Sequence, residues 1–236
     1  MNLKYLIPNF FTFTSLIISL ISIEIITNGN FLLACWLITL CMLFDMLDGK
    51  IARKLNAFSP FGAELDSLVD VVCFGVAPSM LVYYFVLEPL GFIGKFAIIF
   101  YMITATYRLA RFNSTLSSDL KIKRSFSGLP ITSAAGFLVA YVIFSIKIPH
   151  NNTPIYCLFF VIFVSLLMLS KTEFAAFDMQ KNQKVKFYLI LLTLAIAIKF
   201  SYIVYFLSAV VYISYNILRH FIIAAHQHKI DKLRHN

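Results

Sequence analysis

Long apolar runs separated by short polar breaks dominate the chain, a pattern that predicts membrane-crossing helices rather than the striped helices of a soluble core. About 20 apolar residues suffice to cross a hydrocarbon layer of roughly 30 Å. Runs of this kind occupy approximately 10–28, 31–48, 66–87, 91–112, 129–147, 153–170, 186–199 and 202–219, giving eight expected spans. The last two share one long stretch whose only internal break is Lys199-Phe200-Ser201, so a single tilted helix plus an interfacial segment would make seven. The basic residues favour eight. With a cytoplasmic N-terminus, Lys4, the Lys50/Arg53/Lys54 group, Arg108, Arg111, Lys121, Lys123, Arg124, Lys171, Lys181, Lys184, Lys186 and the basic tail then share one side. Only Lys95, Lys147 and Lys199 fall on the other, as the positive-inside rule requires. The expected fold is all-α: a polytopic membrane helical bundle of about eight transmembrane helices, both termini cytoplasmic.

Composition agrees, with 60% hydrophobic, 16% aromatic and 13% charged residues. Lys4 followed by an apolar stretch has the look of a signal peptide, but no small-x-small site closes it, and Pro8-Asn9 and Glu24 interrupt it; the first span is expected to be retained. The net charge of +9 is spread over short loops beside apolar helices, which fits orientation and contact with anionic membrane lipids rather than nucleic acid. Cys35, Cys41, Cys73 and Cys157 fall inside expected spans with no paired spacing and read as small buried hydrophobes. His220, His226, His228 and His235 crowd the tail and read as part of a solvated basic end. With no internal repeat, residues 1–236 are read as one membrane domain.

One window breaks the apolar pattern. Asp45-x-x-Asp48-Gly49-x-x-Ala52-Arg53 is followed after eight residues by Gly62-x-x-x-Asp66-x-x-x-Asp70. Spacings of three and four put each aspartate pair on one helical face, and a turn near Ser59-Pro60 lets two antiparallel helices turn both pairs toward each other. Four carboxylates converging at a lipid boundary must be compensated. Hard oxygen donors without His or Cys select Mg²⁺ or Mn²⁺, and two ions suit four carboxylates better than one. Gly49, Ala52 and Gly62 leave room for close approach, Arg53 can fork onto a phosphate, and Ser59 can donate a hydrogen bond. Together these residues suit phosphoryl transfer. Any one of them alone would fit a cap or a helix-packing role as well. A cation-coupled transporter is the competing class, but it calls for acids near the midplane and in both halves of a repeat, not in one window at the inner face.

At every fixed position this window resembles the signature of the CDP-alcohol phosphatidyltransferases, membrane enzymes that pass a phosphatidyl group from a CDP-linked lipid to an alcohol and release CMP. Within that family the chain looks most like the serine-accepting members of bacteria and archaea. The likeness rests on Glu64 to Pro78, on Ala110-Arg111-Phe112-Asn113, on Phe126-Ser127-Gly128-Leu129-Pro130 and on the opening Pro8-Asn9-x-x-Thr12. It spans about 8–136, the expected catalytic part; the C-terminal helices at about 153–222 add hydropathy alone. The resemblance implies CDP-diacylglycerol and L-serine as substrates and a homodimer. It also implies Asp45, Asp48, Asp66 and Asp70 as ligands of two divalent cations, with Asp70 the general base on the incoming hydroxyl. Gly49, Arg53, Ser59, Pro8 and Asn9 would meet the CDP-lipid.

A serine hydroxyl is a poor nucleophile at neutral pH, so a carboxylate must take its proton as it attacks phosphorus, and one in-line displacement suffices. Spacing alone leaves a covalent two-step route open. The serine carboxylate calls for a cation. Arg111, supported by Arg108 and Asn113, is the expected serine-side group, although arginines at a cytoplasmic helix end also serve as topology signals and lipid anchors. A phosphorylated acceptor such as glycerol 3-phosphate or inositol phosphate would need further cations, which Lys121, Lys123 and Arg124 could supply.

Overall fold

The structure is a computed structural model that describes residues 3–57, 59–118, 125–147, 154–170 and 173–175. Its helices are α1 (Leu3–Thr27), α2 (Phe31–Lys54), α3 (Pro60–Asp70), α4 (Ala77–Val82), α5 (Phe92–Ser118), α6 (Ile131–Lys147) and α7 (Pro154–Leu169). Among the described residues, four continuous helical stretches are long and apolar enough to cross a membrane: Tyr5–Thr27, Phe31–Lys54, Pro60–Leu90 and Phe92–Ser114. The shorter apolar helices Ile131–Ile146 and Pro154–Leu169 coincide with the fifth and sixth expected runs. The last two expected spans, the Lys121–Arg124 cluster and the histidine-rich tail lie outside the described residues.

Two features depart from the all-α expectation. Ser125–Ser127 (β1) pairs antiparallel with Glu173–Ala175 (β2). The end of α7 returns beside the start of α6, where the Leu129 amide donates to the Leu167 carbonyl at 3.1 Å, so the flanking extended segments meet and satisfy each other's backbone groups. The second departure is inside the third stretch. Two π segments, Val71–Val76 and Tyr83–Leu87, flank α4, and a short 3₁₀ turn, Glu88–Leu90, ends the run. Tyr101 of α5, fully buried, donates its hydroxyl to the Phe74 carbonyl at 3.0 Å inside the first π segment. A backbone acceptor within that irregular register is thereby satisfied without water.

Helix ends follow from local chemistry. Asn56 at φ 48° closes α2, with the Ala57 amide donating to the Ala52 carbonyl and Asn56 to Arg53, a Schellman arrangement. Arg53 and Lys54 in that last turn complement the helix dipole. Three residues later Ser59 caps α3, its Oγ accepting from the Gly62 amide at 3.0 Å, with Pro60 in the first turn. Both aspartate helices therefore extend well past their apolar runs: α2 continues through Asp48-Gly49-Lys50 to Lys54, and α3 starts at Pro60.

Packing of α1 is inverted relative to a soluble helix. Thr12, Ser15, Ser19 and Ser22 are buried against the bundle, while Phe10 and Ile17 are 67% and 58% exposed. Small hydroxyl residues inside and large apolar residues outside are what a lipid solvent favours, because close backbone approach rather than apolar burial drives association there. The Ser15 carbonyl accepts from the thiols of Cys41 and Cys73 at 3.4 and 3.5 Å, fixing α1 between α2 and the first π segment. All four cysteines are buried free thiols.

Candidate functional site

The turn between α2 and α3 brings the two aspartate faces together. One carboxylate oxygen from each of Asp45, Asp48 and Asp66 lies within 4.8 Å of the others. Asp70, one turn beyond Asp66, places its carboxyl against that of Asp45. Two like charges about 4 Å apart repel by roughly 4 kcal/mol at the effective dielectric near a protein surface. Three or four at that distance are stable as anions only with cations among them. The donor set is all carboxylate oxygen, spaced so that one small ion can reach several ligands, and it fits a hard divalent cation.

A fifth residue, left unassigned by sequence reasoning, holds this cluster. Thr12 of α1 is buried and donates its hydroxyl to Asp48 Oδ2 at 3.0 Å, with the Pro8 carbonyl at 3.2 Å as the alternative acceptor. One carboxylate oxygen of a candidate ligand is thus oriented from outside its own helix. The signal was present in Pro8-Asn9-x-x-Thr12, where Pro8 and Thr12 share a helical face, but nothing in the sequence told which aspartate that face would meet.

Beside the carboxylates the backbone is open. A side chain added at Gly49 would meet no atom within 4 Å, whereas at Gly62 it would come within 3.0 Å of Ser59 Oγ and 3.1 Å of Asn9 Oδ1. Ser59, Asn9 and Gly62 therefore form one tight corner where α1 and α3 meet, next to buried Pro8. Arg53 is exposed and turns its Nε back to the Gly49 carbonyl at 2.9 Å. That bond uses only one of the five N–H donors of the guanidinium.

The residues expected at the serine end divide. Asn113 of α5 donates its Nδ2 to Ser67 Oγ on α3 at 2.8 Å, which places it beside the residue following Asp66. Arg111 instead meets the end of α7: its Nη1 lies 3.4 Å from the Leu169 carbonyl and its Nη2 3.4 Å from those of Met168 and Ser170. Gly128, at φ 85°, packs in the same place, and a Cβ there would overlap the Met168 carbonyl. A guanidinium on the last carbonyls of a helix satisfies acceptors that have no partner within the helix and complements its dipole. Arg108, buried, stacks on Phe112 at 5.4 Å and shares the Arg111 face one turn earlier. Residues two apart on a helix point to opposite sides, so Asn113 meets α3 while Arg111 meets α7.

Residues 5–168, from α1 to the end of α7, match the CDP-alcohol phosphatidyltransferase family. The CDP-diacylglycerol–serine O-phosphatidyltransferase of Helicobacter pylori is 38% identical over 198 residues, covering 83% of this chain and 82% of that protein. The enzyme of the same name from Bacillus subtilis is 38% identical over 171 residues, covering 72% and 90%. An archaetidylserine synthase of Methanothermobacter thermautotrophicus is 34% identical over 160 residues, covering 67% and 64%. Because the match runs through both aspartate helices and the helices that brace them, this integral membrane chain belongs to the CDP-alcohol phosphatidyltransferase family.

Proposed function

We propose that the protein transfers the phosphatidyl group of CDP-diacylglycerol to the hydroxyl of L-serine, yielding phosphatidylserine and CMP. The observation that carries this reading is the convergence of Asp45, Asp48 and Asp66 within 4.8 Å beside the open backbone of Gly49. The names of the relatives supply the acceptor. Asp45, Asp48, Asp66 and Asp70 would hold two divalent cations, Mg²⁺ or Mn²⁺, which when bound supply neutralising charge for the diphosphate and the departing CMP.

The chain's own groups account for the rest. The CDP-lipid diphosphate lies over Gly49, where Arg53 offers its Nη donors and Ser59 its hydroxyl proton, with Pro8 and Asn9 bordering the corner. Asp70 accepts the proton of the serine hydroxyl as that oxygen forms its bond to the β-phosphorus and the bond from phosphorus to the CMP oxygen breaks. No covalent enzyme intermediate is needed. Asn113 serves the serine end from the α3 side. Arg111, with Arg108 one turn earlier, acts by holding α7 and the Gly128 segment to α5.

The acyl tails remain in the leaflet while the diphosphate enters between helices. The reading keeps eight spans in the cell membrane, both termini and the aspartates at the cytoplasmic face, and a homodimer, supported by the charge distribution and the family resemblance.

The experiment is CMP release by the purified full chain from CDP-diacylglycerol and L-serine with Mn²⁺ or Mg²⁺, before and after chelation, for wild type and for Asp45→Asn, Asp48→Asn and Asp66→Asn. Serine- and metal-dependent release lost in each variant supports the reading. Release that survives chelation or persists in a variant contradicts it.

A further inference from the structure

Ser67 stands between Asp66 and Asp70 and belongs to none of the roles above. Its hydroxyl carries one proton, which it donates to the Ala63 carbonyl one turn back at 3.0 Å. The oxygen is then left to accept, and it accepts from Asn113 Nδ2 at 2.8 Å. This relay dictates which way the Asn113 amide faces: were it reversed, two acceptors would oppose each other. With Nδ2 committed to α3, Oδ1 is presented on the other side of the amide as an acceptor, and among the described residues no donor is paired with it. Asn113 is half-buried, and the residue it bonds, Ser67, directly follows Asp66 and precedes Asp70 by three.

We propose that Asn113 Oδ1 accepts a hydrogen bond from the ammonium group of the acceptor amino alcohol, and that Ser67 is the positioning residue that fixes the amide for this. The inference rests on serine being the acceptor. In serine the ammonium and the attacking hydroxyl sit on adjacent carbons, so a group that recognises the first must stand close to the base that deprotonates the second. Asn113, bonded to the residue three before Asp70, meets that requirement. A carbonyl oxygen suits an ammonium donor and offers nothing to an acceptor lacking one. A site built to pair a buried polar group discriminates strongly against the analogue that leaves it unpaired.

The test compares L-serine with 3-hydroxypropanoate, which keeps the hydroxyl and carboxylate but lacks the ammonium, as acceptor and as competitor. Wild type, Asn113→Leu, Asn113→Asp and Ser67→Ala full-length proteins are used. The expected result is a rise in serine KM of about tenfold or more for Asn113→Leu, the scale of a hydrogen bond to a charged group. The CDP-diacylglycerol KM and the affinity for 3-hydroxypropanoate stay unchanged. Asn113→Asp, which keeps an acceptor oxygen, retains the preference for serine. Ser67→Ala gives a smaller rise of the same selectivity, and Ser67→Ala combined with Asn113→Leu adds nothing to Asn113→Leu alone. Equal losses for both acceptors, or a loss expressed in the CDP-diacylglycerol KM, would show helix packing instead and overturn the proposal. A wild type that turns over another alcohol but not serine would overturn the assigned acceptor as well, and so is distinguishable from failure of the Asn113 assignment.

Discussion

Asp70 and Thr12 touch the same carboxylate cluster but are expected to fail differently. Asp70→Asn keeps the shape and removes the proposed proton acceptor; kcat should fall at least ~100-fold while CDP-diacylglycerol still binds, as judged by a direct binding assay. Retained turnover would remove Asp70 as base. Thr12→Val keeps the volume and removes the hydroxyl on Asp48 Oδ2. Its expected signature is a roughly tenfold higher metal concentration at half-maximal activity, the scale of losing a group that orients a ligand, with near-normal turnover at saturating metal. Gly49 gives a third contrast. Gly49→Ala meets no protein atom within 4 Å, so thermal stability should hold or rise slightly, since alanine is the better helix former, while the CDP-diacylglycerol KM increases because the methyl group occupies ligand space. An unchanged KM would place the diphosphate elsewhere. The convergence of Asp45, Asp48 and Asp66 was legible from spacing, because i,i+3 and i,i+4 pairs share a face whatever the partner. Thr12 was not, since its bond to Asp48 bridges residues 36 apart in sequence and local periodicity carries no such information.

At the scale of elements, the third helical stretch carries Asp66 and Asp70 and, among the described residues, the least regular backbone. The first π segment begins immediately after Asp70, and Tyr101 ties its Phe74 carbonyl to α5. Tyr101→Phe removes a buried hydrogen bond to that carbonyl, a cost of about 1 kcal/mol, and should lower thermal stability in detergent. Because the slackened segment adjoins Asp70, kcat should fall by more than the CDP-diacylglycerol KM changes; a stability loss with normal kcat would separate the π register from the site. Hydropathy could not show this register, since the apolar pattern of Val71 to Val76 is the same in α and π winding. Nor could it show where α2 and α3 end. The caps at Asn56 and Ser59 carry the helices through polar sequence that the apolar runs leave out.

For the molecule as a whole, sequence reasoning was strongest where the solvent constrains the chain and weakest where one helix chooses another. Lipid requires every span to be helical, so apolar length located the helices among the described residues, while the last two expected spans lie outside them. The same solvent makes both faces of a helix apolar, so the side packed inward is marked only by small and hydroxyl residues, as Thr12, Ser15, Ser19 and Ser22 mark it on α1. Arg111 illustrates the cost. Its position beside Asn113 in sequence suggested one shared site, yet helical geometry sends it to the end of α7 and Asn113 to α3. The proposed activity joins the aspartate cluster, a CDP-lipid donor and serine as acceptor. The most direct test is to present the purified chain with CDP-diacylglycerol, a divalent cation and a panel of serine, glycerol 3-phosphate and inositol phosphate, measuring CMP and product lipid together. The account predicts phosphatidylserine and CMP in equal amounts with serine and little with the others; turnover of glycerol 3-phosphate with none of serine would contradict it.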